Sequence, residues 1–67
     1  MNTINVTINN KDMELEAGTT ASQLIKQRGM RKAAVWINGR QLLLTEYETC
    51  EIKEGDTIRL LRIMAGG

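Results

Sequence analysis

Histidine, proline and phenylalanine are absent from this chain, and cysteine occurs once. Each gap removes a class of chemistry. Without histidine there is no imidazole to act as a base or to activate Cys50. No His/Cys spacing exists that would hold a metal ion either. A lone Cys50 cannot close an internal disulfide, so it is expected to be a buried or idle thiol. Only Trp36 and Tyr47 are aromatic, which leaves the packing to aliphatic side chains. Nine Lys and Arg against eight Asp and Glu give a net charge of +1. That balance provides no pull toward nucleic acid or a membrane surface. With no signal peptide and no membrane-length apolar stretch in view, the expected setting is the cytoplasm.

What is present suffices for one small domain. A chain of 67 residues buries only about 60% of the surface that its unfolded form exposes. An enclosed catalytic cleft is hard to build on that scale. The expectation is therefore a non-enzyme, organised as a single domain over residues 1–67.

The hydrophobic pattern changes period along the chain. In TINVTIN, Ile4, Val6 and Ile8 alternate with Asn5 and Thr7, the signature of a half-buried strand. Asn9 to Asp12 reads as a polar turn, after which Met13 and Leu15 restart the alternation. In TTASQLIKQRG the period becomes helical: Ala21, Leu24 and Ile25 share a face, while Gln23, Lys26 and Gln27 point outward. Thr20 and Gln23 have capping-box spacing, Gly29 is a left-handed stop, and a helix of about nine residues is predicted. AAVWING gives a third strand with Val35 and Ile37 in register and an Asn38-Gly39 turn. Leu42, Leu43 and Leu44 are expected to form a brief fourth strand, Thr45 to Cys50 a loop or single turn, and Thr57 to Ile63 the last strand. Arg28, Arg31 and Lys32 read as a solvated face.

A hairpin, one helix and further strands must bury one sheet face under that helix. The simplest solution is an α+β, β-grasp (ubiquitin-like) fold: a mixed sheet of four to five strands over one helix, with the first and last strands parallel and central. The third and last strands are then neighbours. If Val35, Ile37, Ile58 and Leu60 face the helix, Trp36, Arg59 and Leu61 share the open face. An exposed Trp beside an Arg is typical of binding hot spots. The other reading is that Trp36 closes the core of an aromatic-poor protein.

The chain stops at Ile63-Met64-Ala65-Gly66-Gly67, two glycines after a strand-forming run. Glycine costs more backbone entropy to order than any other residue, so this end adds little to folding. It is either a frayed terminus or an end that something uses.

Over essentially its whole length the chain resembles the ThiS/MoaD family of ubiquitin-like sulfur carriers, most closely the thiamine-pathway branch. The resemblance rests on "AGTTASQLI" leading into the helix, "VWINGR" in the third strand, "EGDTIRLL" before and in the last strand, and the terminal "AGG". Many thiamine-type members carry a proline soon after the third strand, where this chain has Leu43 and Leu44.

The resemblance implies a chemistry. The carboxylate of Gly67, at the end of a flexible tail (64–67) that includes Ala65 and Gly66, would be adenylated and converted to a thiocarboxylate. The acceptor pathway implied first is formation of the thiazole ring of thiamine. Delivery to molybdopterin or another sulfur route, or isopeptide conjugation through Gly67 as in ubiquitin, are the alternatives. The implied partners are an adenylyltransferase of the ubiquitin-activating type (ThiF/MoeB-like), a persulfide enzyme that donates sulfur, and thiazole synthase or another acceptor. ATP would be consumed by the activating partner, with no cofactor bound to the carrier, a monomer when free. Trp36, Leu61, Arg59 and Ile63 are the residues expected to meet a partner.

Overall fold

A computed structural model of the chain describes residues 2–30 and 32–63. The expected tail, residues 64–67, lies outside the described residues, as does Arg31. Strand β1 (Thr3–Ile8) and strand β2 (Lys11–Glu16) are followed by helix α1 (Ala21–Gln27), strand β3 (Ala33–Ile37), the short strand β4 (Arg40–Gln41), a 3-10 turn (Leu44–Glu46) and strand β5 (Thr57–Arg62). The five strands form one sheet in the order β2-β1-β5-β3-β4. β1 and β5 run parallel and every other pair is antiparallel. With one helix over this mixed sheet, the architecture is a β-grasp.

Both hairpins turn on asparagine. Ile8 pairs with Lys11, which leaves only Asn9 and Asn10 as the loop, with φ of 50° and 68°. Two left-handed residues in succession form the turn whose twist suits a hairpin, and asparagine tolerates that region well. The expected turn over Asn9 to Asp12 is thus shorter than anticipated, because Lys11 and Asp12 already pair with Ile8 and Thr7. Asn38 and Gly39, at φ of 53° and 84°, make the same kind of turn between β3 and β4.

The fourth strand differs from expectation. It is Arg40–Gln41, paired with Ile37 and Trp36, and not the leucine run. A two-residue turn starts the return strand at once, so pairing is already under way before Leu42. Glu46 then diverts the chain: its carboxylate accepts from the Leu43 N–H and from Arg40, each at 2.9 Å. Leu42 is buried, whereas Leu43 and Leu44 stand exposed.

Helix α1 is seven residues long rather than about nine. Its start is the capping box: the Gln23 N–H donates to Thr20 Oγ1 at 3.3 Å, and the Thr20 N–H donates to Gln23 Oε1 at 3.1 Å. Its end is a Schellman arrangement. Gly29, at φ 72°, donates to the Lys26 carbonyl, and Met30 donates to that of Ile25. Ala21, Leu24 and Ile25 are buried against the sheet residues Val6, Ile8, Leu15, Val35, Ile58 and Leu60, with Ile52 and Leu42 closing the cluster. The Tyr47 hydroxyl donates to the Ala33 carbonyl at 2.8 Å, fixing the long connection onto β3. Among the described residues no helix is long and apolar enough to cross a membrane.

Candidate functional site

The uncovered sheet face carries the side chains that alternate with the core. On β5, Ile58 and Leu60 are buried while Arg59 and Leu61 are exposed. On β3, Ala33 and Val35 are buried while Ala34 and Trp36 are only partly so. Trp36 stands opposite Arg59, and Ala34 opposite Leu61. Leu61 is therefore the diagonal neighbour of Trp36, within reach of a large side chain on the same face. Ala34 contributes only a methyl group beside Leu61, which keeps the indole and the leucine from being separated by bulk.

Trp36 is half-buried, and it is not a member of the buried cluster or of the side chains packed against it. The indole instead lines a shallow groove with Asn9, Gly39, Thr57, Arg59 and Leu61. Ile63 follows β5 and is 51% exposed. Its N–H donates to the Lys32 carbonyl at 3.2 Å, so the pairing of β5 with β3 continues to the last described residue. The groove sets the apolar Trp36 and Leu61 beside one guanidinium, with Asn9, Asn10 and Thr57 as polar lining. Three acidic residues, Asp12, Glu14 and Glu16, lie on β2 at the sheet edge, with β1 between them and β5.

The last described residue, Ile63, directly follows β5. Gly67 follows Ile63 by four residues (67 − 63), so at full extension its carboxylate lies within about 14 Å of the Ile63 Cα. Ala65, Gly66 and Gly67 themselves are outside the described residues. Cys50 is partly buried, packed against the core. Among the described residues no group of three His, Cys, Asp or Glu side chains could hold a metal ion.

Asn9, Asn10, Gly39 and Thr57 line the groove without having been expected there, and Asn9 is the most telling. The sequence marks it only as a turn former, yet its carboxamide bonds to both backbone groups of Leu60. Two consecutive asparagines at a hairpin hint at a left-handed turn, but nothing local says where their side chains go.

The five-stranded mixed sheet with its helix defines a ubiquitin-like β-grasp domain, and its β3–β5 face is left uncovered. A family model matches residues 6–67, and by it the chain belongs to the ThiS family. Among solved structures, it is similar to a crystal structure of the thiamine biosynthesis protein ThiS from Geobacter metallireducens. The TM-score is 0.78 at 23% identity, covering 96% of this chain and 100% of that one. A solution NMR structure of a thiamine biosynthesis protein from the same organism gives a TM-score of 0.76 at 23% identity, covering 96% and 88%. At that identity the likeness speaks for the fold. No curated protein matches the chain at a significant level.

Proposed function

We propose that this protein carries sulfur as a thiocarboxylate on Gly67, supplying it in the cytoplasm for the thiazole ring of thiamine. The observation that carries the reading is a family match running through residue 67, five residues in sequence (67 − 62) after the end of the last strand at Arg62.

A carboxylate resists nucleophilic attack because its charge and resonance oppose it. Adenylation removes that resistance. The Gly67 carboxylate attacks the α-phosphorus of ATP on the activating partner, pyrophosphate leaves, and an acyl-adenylate forms. The terminal sulfur of a persulfide on the donor enzyme then attacks the carbonyl carbon and expels AMP. A thiol cleaves the resulting acyl disulfide, leaving the thiocarboxylate on Gly67 and a disulfide on the other products. The carrier supplies no acid, base or metal to these steps. It acts as a macromolecular handle, as group-carrying cofactors do.

Two glycines suit the task. They pass a narrow channel without a Cβ and reach extended conformations freely. Ala65 links them to the domain.

In this reading the activating enzyme grips the groove of Trp36, Arg59 and Leu61, with Ile63 at its tail-side rim. Gripping there would hold the domain and present Gly67 together. ATP–pyrophosphate exchange with the cognate activating enzyme tests the reading. Carrier-dependent exchange that vanishes on removal of Gly67 supports it, and exchange indifferent to Gly67 rejects it.

A further inference from the structure

β5 is held unequally by its two neighbours. On one side β3 pairs with it at five positions, from Ile37↔Ile58 to Ala33↔Arg62. On the other, β1 pairs with it only at Thr7↔Thr57 and Ile8↔Ile58. The parallel ladder runs from the Thr7 N–H, which donates to the Asp56 carbonyl at 3.0 Å, to the Asn9 N–H, which donates to the Ile58 carbonyl at 2.9 Å. In a regular parallel ladder the next rung would join Leu60 to the carbonyl of residue 9 and the N–H of residue 11. Those groups are lost to β5, because Asn9 turns left-handed and the chain doubles back as β2.

The Asn9 side chain fills the gap. The Leu60 N–H donates to Asn9 Oδ1 at 2.9 Å, and Asn9 Nδ2 donates to the Leu60 carbonyl at 3.2 Å, both partly buried. A primary amide offers one acceptor and one donor side by side, the same pair that a strand presents. We infer that Asn9 is a positioning residue for activation of the tail: its carboxamide acts as a one-rung extension of β1 that holds β5 at Leu60 and fixes the direction in which the chain leaves toward Gly67. This rests on the carrier reading of Gly67.

The consequence is catalytic without chemistry at Asn9. Errors of about 1 Å in the placement of a reacting atom can cost about 100-fold in rate. β3 still holds β5 at Ala34↔Leu61 and Ala33↔Arg62, and Ile63 to Lys32. Loss of the clamp therefore frees only the β1-facing groups of Leu60 and permits a small shift of the strand, enough for a partial loss of rate. A binding contact would act differently. Asn9 also lines the groove beside Trp36, and a residue that merely touched the partner would change KM.

The test uses the full chain with Asn9→Gly and Asn9→Asp. Glycine accepts φ of 50° at no steric cost, so it keeps the turn and deletes the clamp. Aspartate keeps the acceptor for the Leu60 N–H and loses the donor. ATP–pyrophosphate exchange is measured against carrier concentration, together with hydrogen exchange at the Leu60 amide. The expected result is a kcat about tenfold lower for Asn9→Gly, over and above any rise in KM from the lost groove contact. Asn9→Asp should fall between the two, and Leu60 protection should be lost with glycine and largely kept with aspartate. If Asn9→Gly fails to fold, the kcat of Asn9→Asp decides. A kcat equal to wild type despite lost Leu60 protection overturns the positioning role, as does a change in KM alone. Failure of the wild-type protein to support exchange overturns the carrier reading and this inference with it.

Discussion

Trp36 and Arg59 face each other across β3 and β5 on the sheet surface turned away from the helix. The indole therefore belongs to a surface groove and not to the buried cluster. With the activating enzyme docked on this groove, as proposed, folding and recognition fall on adjacent residues. Trp36→Ala should cost less than about 1 kcal/mol of stability and weaken binding to the activating enzyme by about 2 kcal/mol, as a central aromatic anchor does. Denaturant midpoint and titration calorimetry on the same variant check both halves. A loss of about 3–5 kcal/mol in stability is the mark of a core aromatic and would contradict the assignment.

The neighbouring core position should behave in the opposite way. Ile58 is 1% exposed, at the point where β5 meets both β1 and β3. Ile58→Ala should cost about 2–5 kcal/mol, visible as a lower urea midpoint. In a domain this small that is a large share of total stability.

The leucine run provides a second contrast. Leu42 is 6% exposed and Leu44 is 81% exposed. Leu42→Ala should destabilise by about 2–5 kcal/mol, whereas Leu44→Ala should stay within about 0.5 kcal/mol. Equal effects would restore a strand through all three leucines.

At the helix start, Thr20→Ala removes the acceptor for the Gln23 N–H. It should cost about 1 kcal/mol, read as a shift in thermal midpoint with the sheet intact.

Local pattern carried much of this fold. The alternation at Ile4, Val6 and Ile8 and the helical spacing of Ala21, Leu24 and Ile25 each describe one amphipathic element, and those residues pack where the pattern puts them. The Thr20–Gln23 capping box spans three residues and needs no tertiary knowledge. The same local view misjudged Leu42 to Leu44, because apolar character does not show that Glu46 turns the backbone away after Leu42. It could not reveal the clamp between Asn9 and Leu60, which joins residues 51 positions apart. On the groove, strand parity was enough to set Trp36, Arg59 and Leu61 on one face. The part played by Asn9 and Gly39 depends on where the two hairpin turns fall in space.

Tail length offers an independent check on the chemistry. One residue appended after Gly67 moves the carboxylate by about 3.5 Å, far beyond the tolerance of a positioned reaction. Exchange activity should be abolished while the thermal midpoint is unchanged.

The central claim is that sulfur resides on Gly67, and the most direct measurement is tandem mass spectrometry of protein isolated from its native cell. Cleavage after Arg62 releases the peptide Ile63–Gly67. Replacing a carboxyl oxygen by sulfur adds about 16 Da, and oxidation of Met64 adds nearly the same, so fragment ions must locate the change. The account predicts the added mass on the C-terminal fragment containing Gly67 alone. Added mass confined to fragments containing Met64, with Gly67 unmodified while thiamine is being made, would contradict it.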